Sequence, residues 1–431
     1  MDVDNTLHIE CDAVKKHLLT GNFGLEKESL RLTQEGFMSH TLHPFPNNNH
    51  IVRDFCENQT EINTSVATSA QNAIDLLTAH TREIQKTLVQ LPEPELLWPF
   101  SNPAYIRNEA DIPVAQFSGG YASKTDYREY LSNRYGRYKM VLSGIHINYS
   151  FSDALLQADF GVSGYDDFQK YKNDLYLSLA KRAAAYGWVM TAVTAASPLM
   201  DSSYVEKGRL GFTTFNGMAS TRCSEMGYWN YFTPVLNYEN IQGYADSILH
   251  YVREGLLAAP TELYYPIRLK PRGLNRLETL HDEGVDHIEL RMIDLNPLEL
   301  SGLNVADLQF AQLLLVYLAS TRLKPFTVRE QVQAVQNFKN AAHYDLKTVK
   351  IQAPCGRVCS VADAGLDVIE MMKDFYRDFP EDVQNVLNFE ELKFIHPETR
   401  YAWIVRKQFA YQFVEDGLYL AKQIQKELTK D

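Results

Sequence analysis

Apolar and polar residues alternate along four short stretches of the chain, and this period of two is typical of half-buried β-strands. In the clearest stretch, His287, Glu289 and Arg291 would share one face of a strand, whereas the residues between them are apolar. We expect each apolar face to pack in the core and each polar face to line a cavity or meet solvent. The four predicted strands are residues 23–32, 143–151, 263–269 and 286–294.

Apolar residues at three- and four-residue spacings predict helices elsewhere in the chain. Asp126 and Glu129 resemble a capping box, which would begin a helix that carries Tyr127 and Leu131. The other predicted helices are residues 67–90, 166–196, 305–321, 364–378 and 403–428.

Neither a linker nor a repeat divides the chain, so we predict a single domain over residues 1–431, with a mainly helical remainder at 301–431. Helices and strands are interspersed along the chain. No predicted strand leads into a GxxxxGK[ST] or GxGxxG loop. Such loops hold phosphates in Walker and Rossmann sites, so a nucleotide would have to be held in another way.

Composition limits the partners and the compartment. The net charge of −12 disfavours nonspecific binding to nucleic acid or to an anionic membrane surface. The five cysteines, including Cys355 and Cys359, are few and odd in number, and we interpret them as reduced structural thiols. The amino-terminal segment lacks the apolar core of a signal peptide, and the uncharged run 183–200 is alanine-rich, as in a buried helix. We therefore predict a cytoplasmic protein without a nucleic-acid, membrane or obligate protein partner.

Two carboxylates stand close together in the first predicted strand, FGLEKESLRL. Glu26 and Glu28 would share a face, where like charges repel and resist burial unless a cation compensates them. A solvated edge strand is the simplest interpretation of this segment alone. On the second predicted strand, His146 taken alone is more typical of a hydrogen-bonded, half-buried histidine than of a metal ligand.

A further acidic segment, RDFCENQTEIN, carries Asp54, Glu57 and Glu61. A regular strand would put Asp54 and Glu61 on opposite faces, whereas a helix, a bulge or a turn would reunite them. With Glu289, the chain offers several carboxylates on segments whose opposite faces are apolar. Such a set suits Mg²⁺ bridging to phosphates, the acid and nucleophile of a glycosidase, or dispersed surface charge.

Nine segments follow one another between about residues 20 and 300: GLEKESLRL, TLHPF, DFCENQTEI, LWPFSNPAYI, YREYLSNRYG, SGIHINYSF, TRCSEMGYWN, ELYYPIRLKPR and IELRMIDLNP. In this order they resemble glutamate–cysteine ligases, in particular the bacterial form and the ligase half of bifunctional glutathione-synthesising enzymes. The resemblance implies an α+β fold of the glutamine synthetase and guanidino-kinase type. In such a fold a curved, mainly antiparallel sheet forms a funnel and helices pack outside it.

The resemblance also implies that strand carboxylates hold ATP through Mg²⁺, with Mn²⁺ as an alternative ion, which agrees with the missing phosphate loop. Arg291 is then the expected contact to the transferred phosphate, and a structural salt bridge to Glu289 is its alternative role. The implied metal ligands are Glu26, Glu28, Asp54, Glu61, His146 and Glu289.

For the amino-acid acceptor, the matched motifs imply an arginine fork and tyrosine hydroxyls around an α-carboxylate and an apolar pocket around the side chain. Without the resemblance, the pocket residues would be ordinary core. We expect the nearby basic cluster of Arg268, Lys270 and Arg272 to be a solvated turn, although it could reach phosphates. The implied carboxylate contacts are Arg222, Tyr228 and Tyr264, and the implied pocket walls are Phe55, Tyr127 and Leu131.

The implied activity is ATP-dependent ligation of the L-glutamate γ-carboxylate to the L-cysteine amine through a γ-glutamyl phosphate. The products would be γ-glutamylcysteine, ADP and phosphate, in the first step of glutathione synthesis. A chain without the second, ATP-grasp ligase should stop at this dipeptide. A γ-glutamyl ligase for another small amino acid or amine is the nearest alternative. A metal-dependent hydrolase, a guanidino phosphotransferase and a non-catalytic metal-binding module are further alternatives.

Overall fold

The computed structural model describes residues 4–273, 276–322, 326–354 and 356–430, so Cys355 lies outside the described residues. The strands are β1 (Gly21–Thr33), β2 (Ile51–Arg53), β3 (Gln59–Asn63), β4 (Glu95–Leu97), β5 (Ile145–Phe151), β6 (Leu199–Asp201), β7 (Thr213–Phe215), β8 (Ile267–Lys270), β9 (His287–Ile293), β10 (Lys350–Gln352) and β11 (Val358–Ser360). The helices are α1 (Asp12–Lys15), α2 (Ala70–Val89), α3 (Ser123–Tyr135), α4 (Arg137–Met140), α5 (Asp153–Ser163), α6 (Phe168–Tyr186), α7 (Trp188–Thr194), α8 (Ser202–Val205), α9 (Ile241–Arg253), α10 (Leu277–Glu283), α11 (Val305–Ser320), α12 (Val328–Ala341), α13 (Val361–Phe375), α14 (Glu381–Ile395), α15 (Tyr401–Phe409) and α16 (Phe413–Leu428).

Seven strands form one antiparallel sheet in the order β2-β3-β1-β5-β9-β8, with β4 paired to the end of β1. All four predicted strands belong to this sheet, and the predicted α+β class with a mainly antiparallel sheet is confirmed. The long strand β1 lies at the centre because it pairs with three others. Its residues therefore meet side chains from distant parts of the sequence.

The two faces of this sheet differ, as the alternation predicts. Leu25, Ile147 and Ile288 are buried in the main hydrophobic core, against which helices α2, α6 and α7 pack. The opposite face carries Glu26, Glu28, His146 and Glu289. Burial of the apolar side chains stabilises the sheet by about 1.5–3 kcal/mol each, and this leaves the charged face free to form a site.

The helix predictions are right in type but wrong in several boundaries. The segment 166–196 forms α6 and α7 on either side of Gly187, where a Cβ atom would lie 2.5 Å from the Ala183 carbonyl. The segment 403–428 is likewise divided into α15 and α16. Helix α3 begins at Ser123 without a side-chain cap, so the capping box of Asp126 and Glu129 is wrong.

Five helices of seven residues or more, α5, α9, α10, α12 and α14, were not predicted. Three of them carry a sequence signal at their first turn, since Ser152, Asn240 and Thr327 accept backbone N–H groups as N-caps. None of the described helices is long and apolar enough to cross a membrane. The uncharged run 183–200 contributes to α6 and α7 and is almost entirely buried, as predicted.

One buried charge cluster joins α11, α14 and α15 on the far side of the core. The Lys393 Nζ atom lies 2.7 Å from Asp307 Oδ1 and 2.8 Å from Glu390 Oε2, and the Tyr401 hydroxyl donates to Asp307. A single buried lysine, Lys393, thus forms ion pairs with two buried carboxylates. Burial raises the pKa of Glu390 well above its usual 4.5, and Asp307 adds to the rise although Lys393 opposes it.

We expect the free energy of unfolding of Glu390→Gln to fall less with rising pH than that of the wild type. A carboxyl whose pKa is raised by folding contributes stability below pH 4.5 that is lost as pH rises toward its folded pKa. The wild type should therefore lose stability relative to the variant, by up to about 1.4 kcal/mol per pH unit above 4.5. Urea unfolding of both proteins at several pH values from 4.5 upward measures this difference. Glu391→Gln, one residue away and partly exposed, is the matched control, and a pH-independent difference would contradict the prediction.

Candidate active site

Three side chains from neighbouring strands meet on the polar face of the sheet. Glu26 of β1 lies directly opposite His146 of β5, and Asn148 of β5 lies opposite Glu289 of β9. The His146 Nδ1 atom is 2.9 Å from Glu26 Oε2 and 3.8 Å from Glu289 Oε1. One ligand atom from each of Glu26, His146 and Glu289 lies within 4.8 Å of the other two. These three form the first acidic group.

The pKa values of Glu26 and His146 are both lowered, which favours an ionised carboxylate and a neutral imidazole, the forms that bind metal ions. Burial raises the pKa of Glu26, but the hydrogen bond and charge of His146, together with the charge of Lys270, outweigh this and the net shift is downward. Burial, reinforced by Arg291, lowers the pKa of His146 and so favours the neutral ring; in the tautomer that carries its proton on Nδ1, His146 donates to the Glu26 carboxylate. The Nε2 lone pair of His146 is left available. His146 Nε2, Glu289 Oε2 and Asn148 Oδ1 are all buried without a hydrogen-bond partner.

The second acidic group consists of Glu28, Asp54 and Glu61. The sequence pattern did not decide between a strand, a helix, a bulge and a turn for segment 53–63. This segment forms the β2–β3 hairpin, in which the Asp54 backbone N–H donates to the Gln59 carbonyl at 3.1 Å. This places Asp54 in the turn and Glu61 directly opposite Glu28. All three predicted ligands are thereby brought together beside the first group.

Repulsion between the carboxylates of the second acidic group contributes to the raised pKa values of Glu28 and Glu61. Burial raises the pKa of Glu28 to about 8, and Asp54 adds to this rise. Burial followed by Asp54 and Glu26 also raises the pKa of Glu61 well above its usual value. A divalent cation would compensate such a group. The donor set of carboxylate oxygens and one imidazole, with orphaned atoms among them, fits a hard divalent cation.

Three cations surround the buried Glu289 carboxylate. Arg291 Nη1 lies 2.9 Å and Lys270 Nζ 3.3 Å from Glu289 Oε1, and Arg268 lies directly opposite Glu289 in β8. Although burial opposes it, Arg291 and then Lys270 hold the pKa of Glu289 well below its usual range. The expected solvated basic turn is wrong for Arg268 and Lys270, which are buried on a strand; Arg272 is exposed. Their alternation with Ile267 and Leu269 is the signal that could have identified them.

Arg291 lies at an irregularity of the sheet. Ile147 pairs with Leu290 but Ile145 pairs with Ile293, so β9 has one extra residue at this point. Such a bulge bends the strand and redirects a side chain. Here it carries Arg291 between Glu289 and a pocket at the next part of the polar face. Both predicted roles of Arg291, phosphate contact and salt bridge to Glu289, are compatible with this position.

The predicted acceptor residues also converge. Arg222, Tyr228, Tyr264 and Arg291 line one pocket, and the rings of Tyr228 and Tyr264 meet edge to face at 4.9 Å. The Arg222 guanidinium is buried and donates to the Ile293 carbonyl at 2.7 Å. A buried guanidinium between tyrosines is suited to an anionic group such as a carboxylate.

The predicted pocket walls belong to a second hydrophobic cluster at the same end of the polar face. Phe55 and Leu131 are buried in this cluster, and Tyr127 and Tyr264 pack against it. Tyr127 and Leu131 are one turn apart on α3. All six residues predicted for the acceptor therefore lie at one end of the site, beyond the second acidic group.

A second cavity lies at the opposite end of the polar face, beyond the first acidic group. It encloses about 1020 Å³, part of it open to solvent, and both polar and apolar groups line it. Lys172, which sequence reasoning missed because it lies on the helix α6, brings a cation to this cavity. The remaining lining residues include Asn22, Gly24, Asn148, Ser150, Asp153, Arg272, Asp286 and His287. The carboxylates therefore lie between two cavities.

Comparison with known proteins finds consistent relatives. The family model "Glutamate-cysteine ligase" matches residues 8–255 and 231–341. The chain is 34% identical to the glutathione biosynthesis bifunctional protein GshAB of Listeria welshimeri, over 97% of this chain and 56% of that protein. It is also 34% identical to GshAB of Pasteurella multocida, over 69% of this chain and 39% of that protein. The chain thus spans about half the length of the curated relatives it matches.

Two solved structures share the fold. Glutamate–cysteine ligase of Francisella tularensis, solved in complex with AMP, superposes with a TM-score of 0.85 at 21% identity, covering 96% of this chain and 89% of that one. A bifunctional glutathione synthetase from Pasteurella multocida superposes with a TM-score of 0.82 at 26% identity, covering 97% of this chain and 54% of that one. The arrangement of sheet and helices is therefore one found in glutathione biosynthesis proteins.

Proposed function

Because the chain belongs to the glutamate–cysteine ligase family, we propose that it joins the γ-carboxylate of L-glutamate to the amine of L-cysteine at the expense of ATP. One observation carries this proposal: two groups of carboxylates lie between a cavity with a peripheral lysine and a pocket built from Arg222 and tyrosines. A ligase of this type needs a triphosphate on one side and an amine acceptor on the other. The cavity at one end of the polar face and the pocket at the other support this arrangement.

In this proposal the nucleotide extends from the first acidic group into the cavity that contains Lys172. Glu26, His146 and Glu289 would hold one Mg²⁺ ion, and Glu28, Asp54 and Glu61 would hold further Mg²⁺. The bound metal would neutralise phosphate charge and hold the triphosphate in place of a glycine-rich loop. Mn²⁺, which also prefers oxygen ligands, is the alternative ion.

Phosphoryl transfer requires positioning and charge neutralisation more than a protein nucleophile. The γ-carboxylate of glutamate attacks the γ-phosphorus of ATP, ADP leaves, and a γ-glutamyl phosphate forms. Arg291 lies between Glu289 and the acceptor pocket. From this position its side chain would turn away from Glu289 and toward the transferred phosphate. Its guanidinium would stabilise charge on the phosphate oxygens as the transfer proceeds.

The second step needs an amine held next to the acyl phosphate. Arg222, Tyr228 and Tyr264 would bind the α-carboxylate of the acceptor, and Phe55 with Leu131 would contact its side chain. The amine attacks the γ-carbonyl carbon, phosphate leaves through a tetrahedral intermediate, and the amine loses a proton. The γ-peptide bond of the dipeptide results.

An apolar pocket distinguishes acceptors that differ by one methylene only about 10- to 200-fold. A γ-glutamyl ligase for another small amino acid or amine is therefore the second candidate. We propose a cytoplasmic location as well, since the described cysteines are free thiols and the proposed acceptor is itself a thiol.

The test is ADP release with Mg-ATP and L-glutamate across a panel of amines, with a no-amine blank. Stimulation by cysteine together with a γ-glutamyl dipeptide of the correct mass supports the proposed reaction. Stimulation by a different amine retains the mechanism and changes the acceptor. ADP release that does not depend on glutamate would exclude a γ-glutamyl ligase.

Substitutions at the two ends of the site should separate the two substrates. We expect Arg222→Ala to raise the KM for the acceptor about 10- to 100-fold, the value of a charge-assisted hydrogen bond, with little change in the KM for ATP. Lys172→Ala should have the opposite pattern, with a smaller effect because its side chain is partly exposed and is engaged by Asp286 at 3.4 Å. Steady-state kinetics with each substrate varied in turn measures both. Equal shifts in both KM values for Arg222→Ala would contradict its assignment to the acceptor.

A further inference from the structure

The Arg222 side chain occupies a slot that exists because residue 144 has no side chain. A Cβ atom built on Gly144 would overlap Nη1 and Cζ of the Arg222 guanidinium. Gly144 immediately precedes β5, and its carbonyl accepts the backbone N–H of Glu28. Its backbone is therefore held in place by the sheet, and the guanidinium lies directly against it.

The opposite side of the slot is formed by the end of β9. The Ile293 carbonyl accepts from Arg222 Nη1 at 2.7 Å. The next residue, Asp294, is buried, and its carboxylate accepts from Ser220 Oγ at 2.8 Å and from Ser197 Oγ at 2.7 Å. A third bond comes from the backbone N–H of Ala196 at 2.9 Å.

These hydrogen bonds fix both the backbone turn that carries Arg222 and the guanidinium at the end of its side chain. Ser220 is two residues before Arg222 in the chain, and its hydroxyl also accepts the backbone N–H of Cys223 at 3.3 Å. Asp294 therefore holds the turn that carries Arg222, while the neighbouring carbonyl of Ile293 holds the guanidinium. Gly144 closes the slot from the other side.

We propose that Gly144 and Asp294 are positioning residues for the acceptor: together they hold the Arg222 guanidinium where it can grip the acceptor carboxylate. The proposal rests on the function proposed above and extends it to residues that do not touch the substrate. A guanidinium fork discriminates best when its orientation is fixed before binding, because less conformational entropy is then lost. An alanine at position 144 displaces the flexible end of Arg222 rather than the backbone, so the protein should still fold.

The experiment compares cysteine with cysteamine, which has the same thiol and amine but no carboxylate. In the wild type, cysteine should have the higher kcat/KM because Arg222 binds its carboxylate. In Gly144→Ala, kcat/KM for cysteine should fall about 10- to 100-fold, whereas that for cysteamine should change little. Gly161→Ala, at a helical glycine with open space around its Cβ position, is the matched control and should retain the wild-type preference.

A double-mutant cycle with Arg222→Ala tests whether Gly144 acts through Arg222. If it does, Gly144→Ala has no further effect on kcat/KM for cysteine once Arg222 is alanine. Additive losses, or a Gly144→Ala variant that keeps the wild-type preference for cysteine, would overturn the proposal. Asp294→Asn, which keeps the side-chain shape but replaces one of the two acceptor oxygens with an NH2 donor, should also reduce the preference for cysteine. A wild type that ligates none of these amines to glutamate would instead overturn the proposed function.

Discussion

Glu289→Gln is expected to reduce ligation by about 10²- to 10³-fold, the scale expected when a charge-stabilising group is removed from an active site. Glu289 is fully buried, belongs to the first acidic group, and is kept ionised mainly by Arg291 and Lys270. Glutamine has the same shape but lacks the negative charge, so a proposed metal ligand and the charge balance with these cations are both lost. The measurement is dipeptide formation at saturating Mg-ATP, glutamate and cysteine.

Two further measurements separate a catalytic loss from a folding defect. Circular dichroism and thermal unfolding should show a folded Glu289→Gln protein, although three cations have lost their shared partner. Calorimetric titration with Mg²⁺ alone should show weaker binding than in the wild type. Glu283→Gln, at an exposed glutamate just before β9, should behave as the wild type in all three assays. Wild-type rates in Glu289→Gln at saturating Mg²⁺ would remove Glu289 from the site.

Arg291→Ala is expected to lower kcat by about 10³-fold, in the range known for arginines that stabilise a transferring phosphate. The effect should fall on the phosphoryl-transfer step, because Arg291 lies between Glu289 and the acceptor pocket. A single-turnover assay of ADP formation from ATP and glutamate measures this step directly. Arg291→Lys should recover only part of the rate, since an ammonium group retains the charge but not the planar fork.

The alternative role of Arg291, a structural salt bridge, leads to a different outcome. In that case Arg291→Ala would lower the free energy of unfolding and leave the single-turnover rate of the folded protein close to that of the wild type. Comparing the two quantities in the same preparation distinguishes the roles.

Much of the candidate site could be predicted from sequence because strand alternation is a local property. Glu26 and Glu28 share the polar face of β1, and Glu289 and Arg291 lie together on one side of β9, as their spacing predicts. The functional roles of these residues came from the resemblance rather than from spacing. Those roles stay predictions until the substitutions above are measured.

Other features could not be obtained from local patterns. Asp54 and Glu61 have opposite parity, and only the β2–β3 hairpin shows how both reach the same side of the sheet. Arg268 and Lys270 resemble a solvated basic turn in sequence, yet they are buried, because Glu289 supplies the compensating charge: it lies opposite Arg268 and 3.3 Å from Lys270 Nζ. Burial of a charge depends on its partner, and here the partner is distant in the chain.

By itself, the sequence determined the strand and helix periods, the polar face and the carboxylates that this face carries. Only the tertiary structure decided how these residues are grouped: two acidic groups between two cavities, a bulge that redirects Arg291, and a slot at Gly144 that holds Arg222. The physical reason is that side-chain direction follows from the period of a single strand. Distance and burial, in contrast, depend on the register between strands and on packing across the fold.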